Sequence, residues 1–348
     1  MRETLPTSTS TTGQANRGSE QDPTSLSLRG RFFTPQTAVS FGVAFGVLWF
    51  LLARLDIDVA ALWSQVRSAH LGWLLLAYVV FYASLPMRAV RWRVLLHNAD
   101  NADDPIRHQL PNAVGMTEII TLSWFANCVV PAKLGDAYRA YLLRKDAGGS
   151  FSRTLGTILA ERALDLTTVV GLLGLAVVLS WRQTQGEGGM AFVEAGGVMV
   201  LLTLGSLLGM RFLAPAVGRL VPSRFRAPFY RLVEGLMGSW GQLPLVVVLS
   251  LLVWSLEISR LYFVVVSLGI AVPLSIVLLV ALANSLLTTV PLTPGGLGAV
   301  EAGIIGLLVG VGGMGDEQAV AIALLDRTVS YWSLIAVGLL LFGFTRRR

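Results

Sequence analysis

Charge is what this chain has least of: only 14% of its 348 residues are Asp, Glu, Lys or Arg, while 54% are hydrophobic. Soluble domains carry roughly a quarter charged residues, so the deficit excludes an ordinary water-soluble fold, and a mean hydropathy of +0.66 points to a polytopic membrane protein. The one cysteine, Cys128, has no intrachain partner for a disulfide and says nothing about compartment. The three histidines, His70, His97 and His108, lie near or beyond the ends of apolar runs without metal-ligand spacing, so no metal site is expected. An ATP-binding loop is missing, which leaves any transport passive or ion-coupled. No nucleophile constellation and no soluble donor-binding domain marks an enzyme. No cofactor and no nucleic-acid partner is expected.

What is present is apolar length. Runs at about 37–54, 71–87, 155–181, 191–213, 244–268 and 318–343 each approach the ~20 residues a helix needs to cross the hydrocarbon. Two further stretches, about 117–142 and 274–311, are broken by proline and glycine. Residues 1–36 are polar and lack a hydrophobic centre, which makes them a disordered cytoplasmic tail ahead of a single membrane domain at 37–345.

An amino terminus in the cytoplasm, with each broken stretch entering and leaving on one side, places nearly every basic residue inside. The inner segments then hold Arg88, Arg91, Arg93, Arg107, Lys133, Arg139, Arg144, Lys145 and Arg153, later Arg211, Arg219, Arg224, Arg226 and Arg231, and finally Arg346 to Arg348. The outer segments hold only Arg54, Arg67 and Arg182. Eight full spans also return the carboxyl terminus inside but put Arg139, Arg144, Lys145 and Arg153 outside, so the hairpin reading is favoured. The expected fold is an all-α polytopic membrane protein of six full spans plus two re-entrant helical hairpins. It forms an inverted-topology repeat, one copy at about 37–181 and the other at about 191–343, with both termini on the cytoplasmic side of the cell membrane. Inverted repeats with broken helices are a recurrent transporter architecture.

The unusual residues occur twice. Pro131, Lys133, Gly135 and Arg139 lead to Glu161, Arg162 and Asp165; Pro294, Gly295, Gly296, Gly298 and Glu301 lead to Asp326 and Arg327. Each set joins a helix break to an acid-arginine pair inside the next apolar run. With ~1.5 Å of rise per residue, Glu161 lies about 9 Å from the inner end of its run and Asp326 about 12 Å from the outer end of its own. Charges at that depth cost roughly 2.5–3.5 kcal/mol each if they face lipid, so they must face protein or a water-filled cavity. Glu161, Arg162 and Asp165 are expected to form a local cluster, Glu257 and Arg260 either to pair at i and i+3 or to contact substrate, and one of Asp326 and Arg327 to reach the other repeat. Freed N–H groups at the second break would favour an anion such as a phosphate. Glycines at 42, 46, 171 and 174 read as packing positions. Asp56 and Asp58 read as a solvated loop, and 215–240 as an amphipathic helix on the inner leaflet.

These residues, together with Asn127 ahead of the first break and Pro291 ahead of the second, resemble the motifs of the lysylphosphatidylglycerol synthase transmembrane family, also called flippase-like domain proteins. The resemblance covers about residues 40–345. It implies an integral membrane module that moves an anionic or aminoacylated phospholipid, or a polyprenyl-linked lipid, between leaflets. Bifunctional members carry a soluble aminoacyl-transferase domain after the membrane region, whereas this sequence ends at Arg348, so synthesis of lysylphosphatidylglycerol is not expected. The partners implied are membrane lipids. A second reading is a non-transporting partner of a separate lipid aminoacyl-transferase or polyprenyl-phosphate glycosyltransferase, and a third a membrane-embedded transferase.

Overall fold

The computed structural model describes residues 58–99, 110–130, 133–180, 216–289 and 293–345, with isolated positions among 39–46 and 194–212. Apart from those positions, the spans expected at 37–54 and 191–213 lie outside the described residues. So do the tail, Arg54, Asp56, Arg107, His108, Pro131, Arg182, Arg211, Pro291 and Arg346 to Arg348.

Every described element is helical. The short α1 (Val59–Arg67) starts on Asp58, an exposed residue whose Oδ1 accepts the N–H groups of Ala60 and Ala61 at 2.8 and 3.3 Å, so it also caps the helix. Next, α2 (Leu71–Asn98) runs well past the expected end at 87. Arg88, Arg91 and Arg93 look like the end of a span on a hydropathy scale. Yet Leu85, Ala89, Trp92 and Leu96 recur at helical spacing and are all buried, so the helix continues through the arginines. The first hairpin is α3 (Ala113–Val129) and α4 (Leu134–Ala147), followed by α5 (Phe151–Ser180). An amphipathic α6 (Ser223–Gly238) precedes α7 (Leu243–Ser267). The second hairpin is α8 (Leu274–Thr289), a 3-10 turn at Pro294–Gly296 and α9 (Ala299–Gly310). The last helix is α10 (Asp316–Arg327), continued through a π turn at Thr328–Trp332 into α11 (Ser333–Thr345).

Length separates two kinds of helix. Among the described residues, Leu71–Asn98, Leu243–Ser267 and the continuous Asp316–Phe344 are long and apolar enough to cross a bilayer. By contrast α3, α8 and α9 have 17, 16 and 12 residues. At ~1.5 Å per residue they reach only about 26, 24 and 18 Å, short of the ~30 Å hydrocarbon core.

The core forms in two parts. One is built by α2 to α5 around Trp92, Ile120, Leu143 and Ile158. The other is built mainly by α7 to α10 around Val264, Val280, Ile304 and Ile322. They meet where α2 packs along α7, and where Val169 and Leu173 of α5 meet Leu282 and Leu286 of α8. Outward-facing Leu75, Val79, Val248 and Leu252 stay exposed, the surface that lipid would cover.

Helix α6 lies against α5 at a glycine contact. A Cβ on Gly235 would strike the Arg153 carbonyl, and one on Gly156 the Leu232 carbonyl, while Arg153 bonds Glu234 at 2.9 Å. Gly171 and Gly174, expected to be packing positions, face open space: a Cβ added at either would meet nothing within 4 Å, and the same is true at Gly42 and Gly46. The close backbone contacts between α5 and α6 lie instead at Gly156 and Gly235.

Gly235→Ala should therefore cost about 1–3 kcal/mol through overpacking, whereas Gly171→Ala should be neutral or stabilise by roughly 0.5–1 kcal/mol. Thermal unfolding in detergent, followed by tryptophan fluorescence, measures both. A Gly235→Ala protein melting with the wild type would show that α5 and α6 do not approach this closely.

Candidate functional site

Arg91 of α2 is wholly buried and grips two acids of α5. Its Nη1 and Nη2 donate to the two oxygens of Asp165 at 2.6 and 3.1 Å, and Nη2 also to Glu161 at 2.8 Å. The second Glu161 oxygen accepts from Arg139 Nη1 of α4 at 2.7 Å, and the Arg139 guanidinium sits 3.7 Å from the centre of the Trp92 ring. Arg162 points elsewhere, because consecutive helix residues diverge by ~100°. Its Nε and Nη2 bond both oxygens of Asp136 at 3.0 and 2.8 Å, the fork geometry that suits arginine.

Asp136 is the third residue of α4, just after the first break. Asn127 Oδ1 accepts the Gly135 N–H at 2.9 Å, and Ser123 Oγ donates to the Gly135 carbonyl at 2.9 Å. A Cβ on Gly135 would collide with the Ser123 carbonyl and the Asn127 side chain, so only glycine lets α3 and α4 close this tightly. Lys133, in the break, has φ 51° and ψ 36°, a left-handed conformation costing roughly 1–2 kcal/mol outside glycine.

The second half repeats this construction. Arg260 of α7 bonds Asp326 of α10 and, at 3.3 Å, Glu257. Arg327 Nε donates to Glu301 Oε1 at 2.6 Å, and its Nη2 to the Gly295 carbonyl at 2.9 Å. Glu301, the third residue of α9, accepts the Gly298 N–H at 2.6 Å through its other oxygen. Asp136 to Arg162 and Glu301 to Arg327 each span 26 residues. Arg88 Nη2 to Glu257 Oε1 at 2.9 Å joins the halves at the cavity, as Arg153 to Glu234 does where α5 meets α6. The second break also approaches the end of α3, where a Cβ on Gly295 would lie 3.5 Å from the Cys128 Cα, and the Tyr331 hydroxyl of the π turn donates to the Cys128 carbonyl at 2.9 Å.

Between the breaks lies a cavity of about 650 Å³. Of the residues expected from sequence, Asn127, Lys133, Arg162, Asp165, Glu257, Arg260, Gly295, Gly296 and Arg327 line it. Gly135, Arg139, Glu161, Pro294, Gly298, Glu301 and Asp326 do not, and of these Arg139, Glu161, Glu301 and Asp326 hold lining residues or each other in place. Arg88, Trp124, Trp254 and Asn284 also line the cavity and were not expected. Asn284 Oδ1 has no hydrogen-bond partner. Among the described residues no group of three or more His, Cys, Asp or Glu side chains could hold a metal ion.

Four expectations are corrected. The cluster at 161–165 is not local: Arg162 is 4.0 Å from Asp165, and the short bonds of all three residues go to other helices. Asp326 and Arg327 find partners within their own half, and the ion pairs between halves are Arg88 to Glu257 and Arg153 to Glu234. The Gly298 N–H at the second break is taken by Glu301, not left for an anion. Arg88, Arg91 and Arg139 are buried in the network and do not mark a cytoplasmic loop. The signal for Arg88 and Arg91 was their i, i+3 spacing inside a stripe of large apolar residues, and Asp136 sat beside the glycine of the first motif.

Removing one member of a buried pair leaves an uncompensated charge, at a cost of about 3–5 kcal/mol. Arg260→Gln should destabilise by that order, and Arg260→Gln with Asp326→Asn should recover most of the loss. Chemical or thermal unfolding of the three proteins in one detergent tests this; no recovery in the double variant would mean that the pair is not the source of the loss.

The sequence profile of the lysylphosphatidylglycerol synthase TM region matches residues 37–338. The chain is 32% identical over 224 residues to a UPF0104 membrane protein of Methanocaldococcus jannaschii, a match covering 64% of this chain and 95% of that one. It is 25% identical over 295 residues to a UPF0104 membrane protein of Pyrococcus horikoshii, covering 77% and 85%. A third relative, the glycosyltransferase AglD of Haloferax volcanii, is 27% identical over 344 residues, covering 87% of this chain and 54% of AglD. No solved structure matches the chain significantly. The matched segment contains both breaks and the whole ion network, and the chain belongs to the lysylphosphatidylglycerol synthase TM region family.

Proposed function

We propose that this protein is a lipid translocator in which the cavity admits a polar headgroup while the lipid's chains remain in the bilayer. The observation that carries this reading is the cavity wall: Arg88, Lys133, Arg162, Arg260 and Arg327 converge where two helix breaks meet inside an apolar bundle. Carboxylates meet the four arginines and offset the cost of burying them, while their convergence with Lys133, unpaired among the described residues, around open space gives the cavity a polar wall suited to a headgroup. The paired breaks and equal 26-residue spacings support a repeat; the arrangement we propose for it is inverted, with six spans and two re-entrant hairpins, repeats at about 37–181 and 191–343 and both termini in the cytoplasm. The cargo is an anionic or aminoacylated phospholipid or a polyprenyl-linked lipid, in the cell membrane.

A second reading rests on one relative. About half of a protein named a glycosyltransferase aligns with this chain, which favours a module serving a separate lipid-modifying enzyme, such as a lipid aminoacyl-transferase or a polyprenyl-phosphate glycosyltransferase.

Reconstituted vesicles separate the readings. Wild-type protein should speed the passage of a fluorescent phosphatidylglycerol across the bilayer. Arg162→Gln with Asp136→Asn, which removes a cavity cation without stranding its acid, should slow it at least tenfold while the protein stays folded. Wild-type rates in the folded double variant would remove the cavity from the pathway, and no protein-dependent movement by the wild type would favour the second reading. For the topology, a cysteine replacing Arg224 in a Cys128→Ala background should react only from the cytoplasm, and one replacing Glu187 only from outside. Reaction of both from one side would eliminate the inverted arrangement.

A further inference from the structure

The cavity has cations to offer but little for a ligand's cation. Its two lining carboxylates, Asp165 and Glu257, have all four oxygens engaged. Asp165 accepts from Arg91 on both oxygens and from Trp254 Nε1 on one. Glu257 accepts from Arg88 on one oxygen and Arg260 on the other. Aromatic faces are the other common receptors for an ammonium, and here each already meets an arginine of the protein. Arg88 lies 4.5 Å from the centre of the Trp124 ring and 5.9 Å from that of Trp254, Arg260 6.0 Å from Phe81, and Arg327 5.0 Å from Tyr331. Those four are the aromatic residues of the wall. The unpartnered acceptor, Asn284 Oδ1, is neutral; it suits a hydroxyl and does little to offset a buried ammonium.

Lys133 differs from the other cations of the wall. Arg88, Arg162, Arg260 and Arg327 all hold carboxylates, whereas among the described residues Lys133 makes no ion pair and no side-chain hydrogen bond. Arg162 repels it, and Asp136 and Asp165 attract it, only at longer range. It is also the single described non-glycine residue with positive φ, held at the tip of the first break facing the cavity. A compact ammonium with free donors at such a place is a ready counter-ion for a phosphate oxygen.

Resting on the translocator reading, we propose that the cavity selects phosphate-bearing lipids whose headgroups carry net negative charge, and rejects aminoacylated ones, with Lys133 as the specificity-determining residue. A phosphodiester such as phosphatidylglycerol and a phosphomonoester such as a polyprenyl phosphate share this chemistry. A lysyl ester adds ammonium groups for which the wall has no free carboxylate and no free aromatic face.

Native mass spectrometry of the full-length protein tests the selection. The protein, in detergent, is offered equal amounts of phosphatidylglycerol, a polyprenyl phosphate and lysylphosphatidylglycerol. At least one of the two anionic lipids should be retained at least tenfold over lysylphosphatidylglycerol, and which of the two leads identifies the source of the phosphate. Lys133→Met should reduce that preference several-fold and Lys133→Arg should keep it. Arg224→Gln with Arg231→Gln, on the exposed face of α6, should leave it unchanged. Equal retention of lysylphosphatidylglycerol, an unaltered preference in Lys133→Met, or loss of preference only in the α6 variant would overturn the proposal. Vesicle transport separates the two ideas. Selective retention without movement would uphold the selection and sink translocation; movement of phosphatidylglycerol and lysylphosphatidylglycerol at equal rates, with equal retention, would do the reverse.

Discussion

A guanidinium taken from water into an apolar bundle costs several kcal/mol unless carboxylates meet it at hydrogen-bond distance, and that requirement governs how these helices are placed. Arg91 cannot be buried unless α5 brings Glu161 and Asp165 to α2, and Arg260 cannot be buried unless α10 brings Asp326 to α7. Apolar packing alone would tolerate other rotations of these helices about their axes, because the hydrophobic residues surround them on most sides. Charge pairing admits few rotations, and the cavity lies where the permitted one leaves space.

The breaks follow from the same constraint. Asp136 and Glu301 are each the third residue of the helix that starts after a break, where free N–H groups and the positive end of the helix dipole favour a carboxylate. A continuous helix would place each acid in mid-helix without that support. In both hairpins an arginine from the next long helix then fastens the new helix start, through Arg162 in one and Arg327 in the other. The break thus creates the anion position, and the anion position ties the hairpin to its neighbour.

Much of this is legible in the sequence, and the part that is not has a common cause. The broken hairpins, the two acid-arginine pairs and the amphipathic α6 follow from local pattern: proline and glycine inside apolar runs, and charge where hydropathy is high. Partner choice does not, because it depends on contacts far apart along the chain. Glu161 and Asp165 share a helix face with each other but are held by Arg91, some 70 residues away. Arg88 and Arg91 read as the polar end of a span, since a hydropathy scale registers their charge and not the carboxylates that meet it. The Gly298 N–H is the exception, because its acceptor Glu301 lies only three residues on, at the position from which a glutamate reaches back to a helix start, and was legible locally.

The distribution of bonds also decides what the cavity responds to. Within each half, ion pairs tie the long helices to one another and to the hairpin: Arg91 to Glu161 and Asp165, with Arg162 to Asp136, and Arg260 to Asp326, with Arg327 to Glu301. Across the seam the described ion pairs are Arg88 to Glu257 and, where α5 meets α6, Arg153 to Glu234, supported by the Trp254 Nε1–H on Asp165, the Tyr331 hydroxyl on the Cys128 carbonyl and apolar contact between α2 and α7. Lys133 and Arg162 come from one half, Glu257, Arg260 and Arg327 from the other, and the cavity lies between them. A displacement of one half against the other would therefore reshape the cavity while leaving the pairs inside each half intact, and the described ion pairs it would strain are Arg88 to Glu257 at the buried seam and the more exposed Arg153 to Glu234.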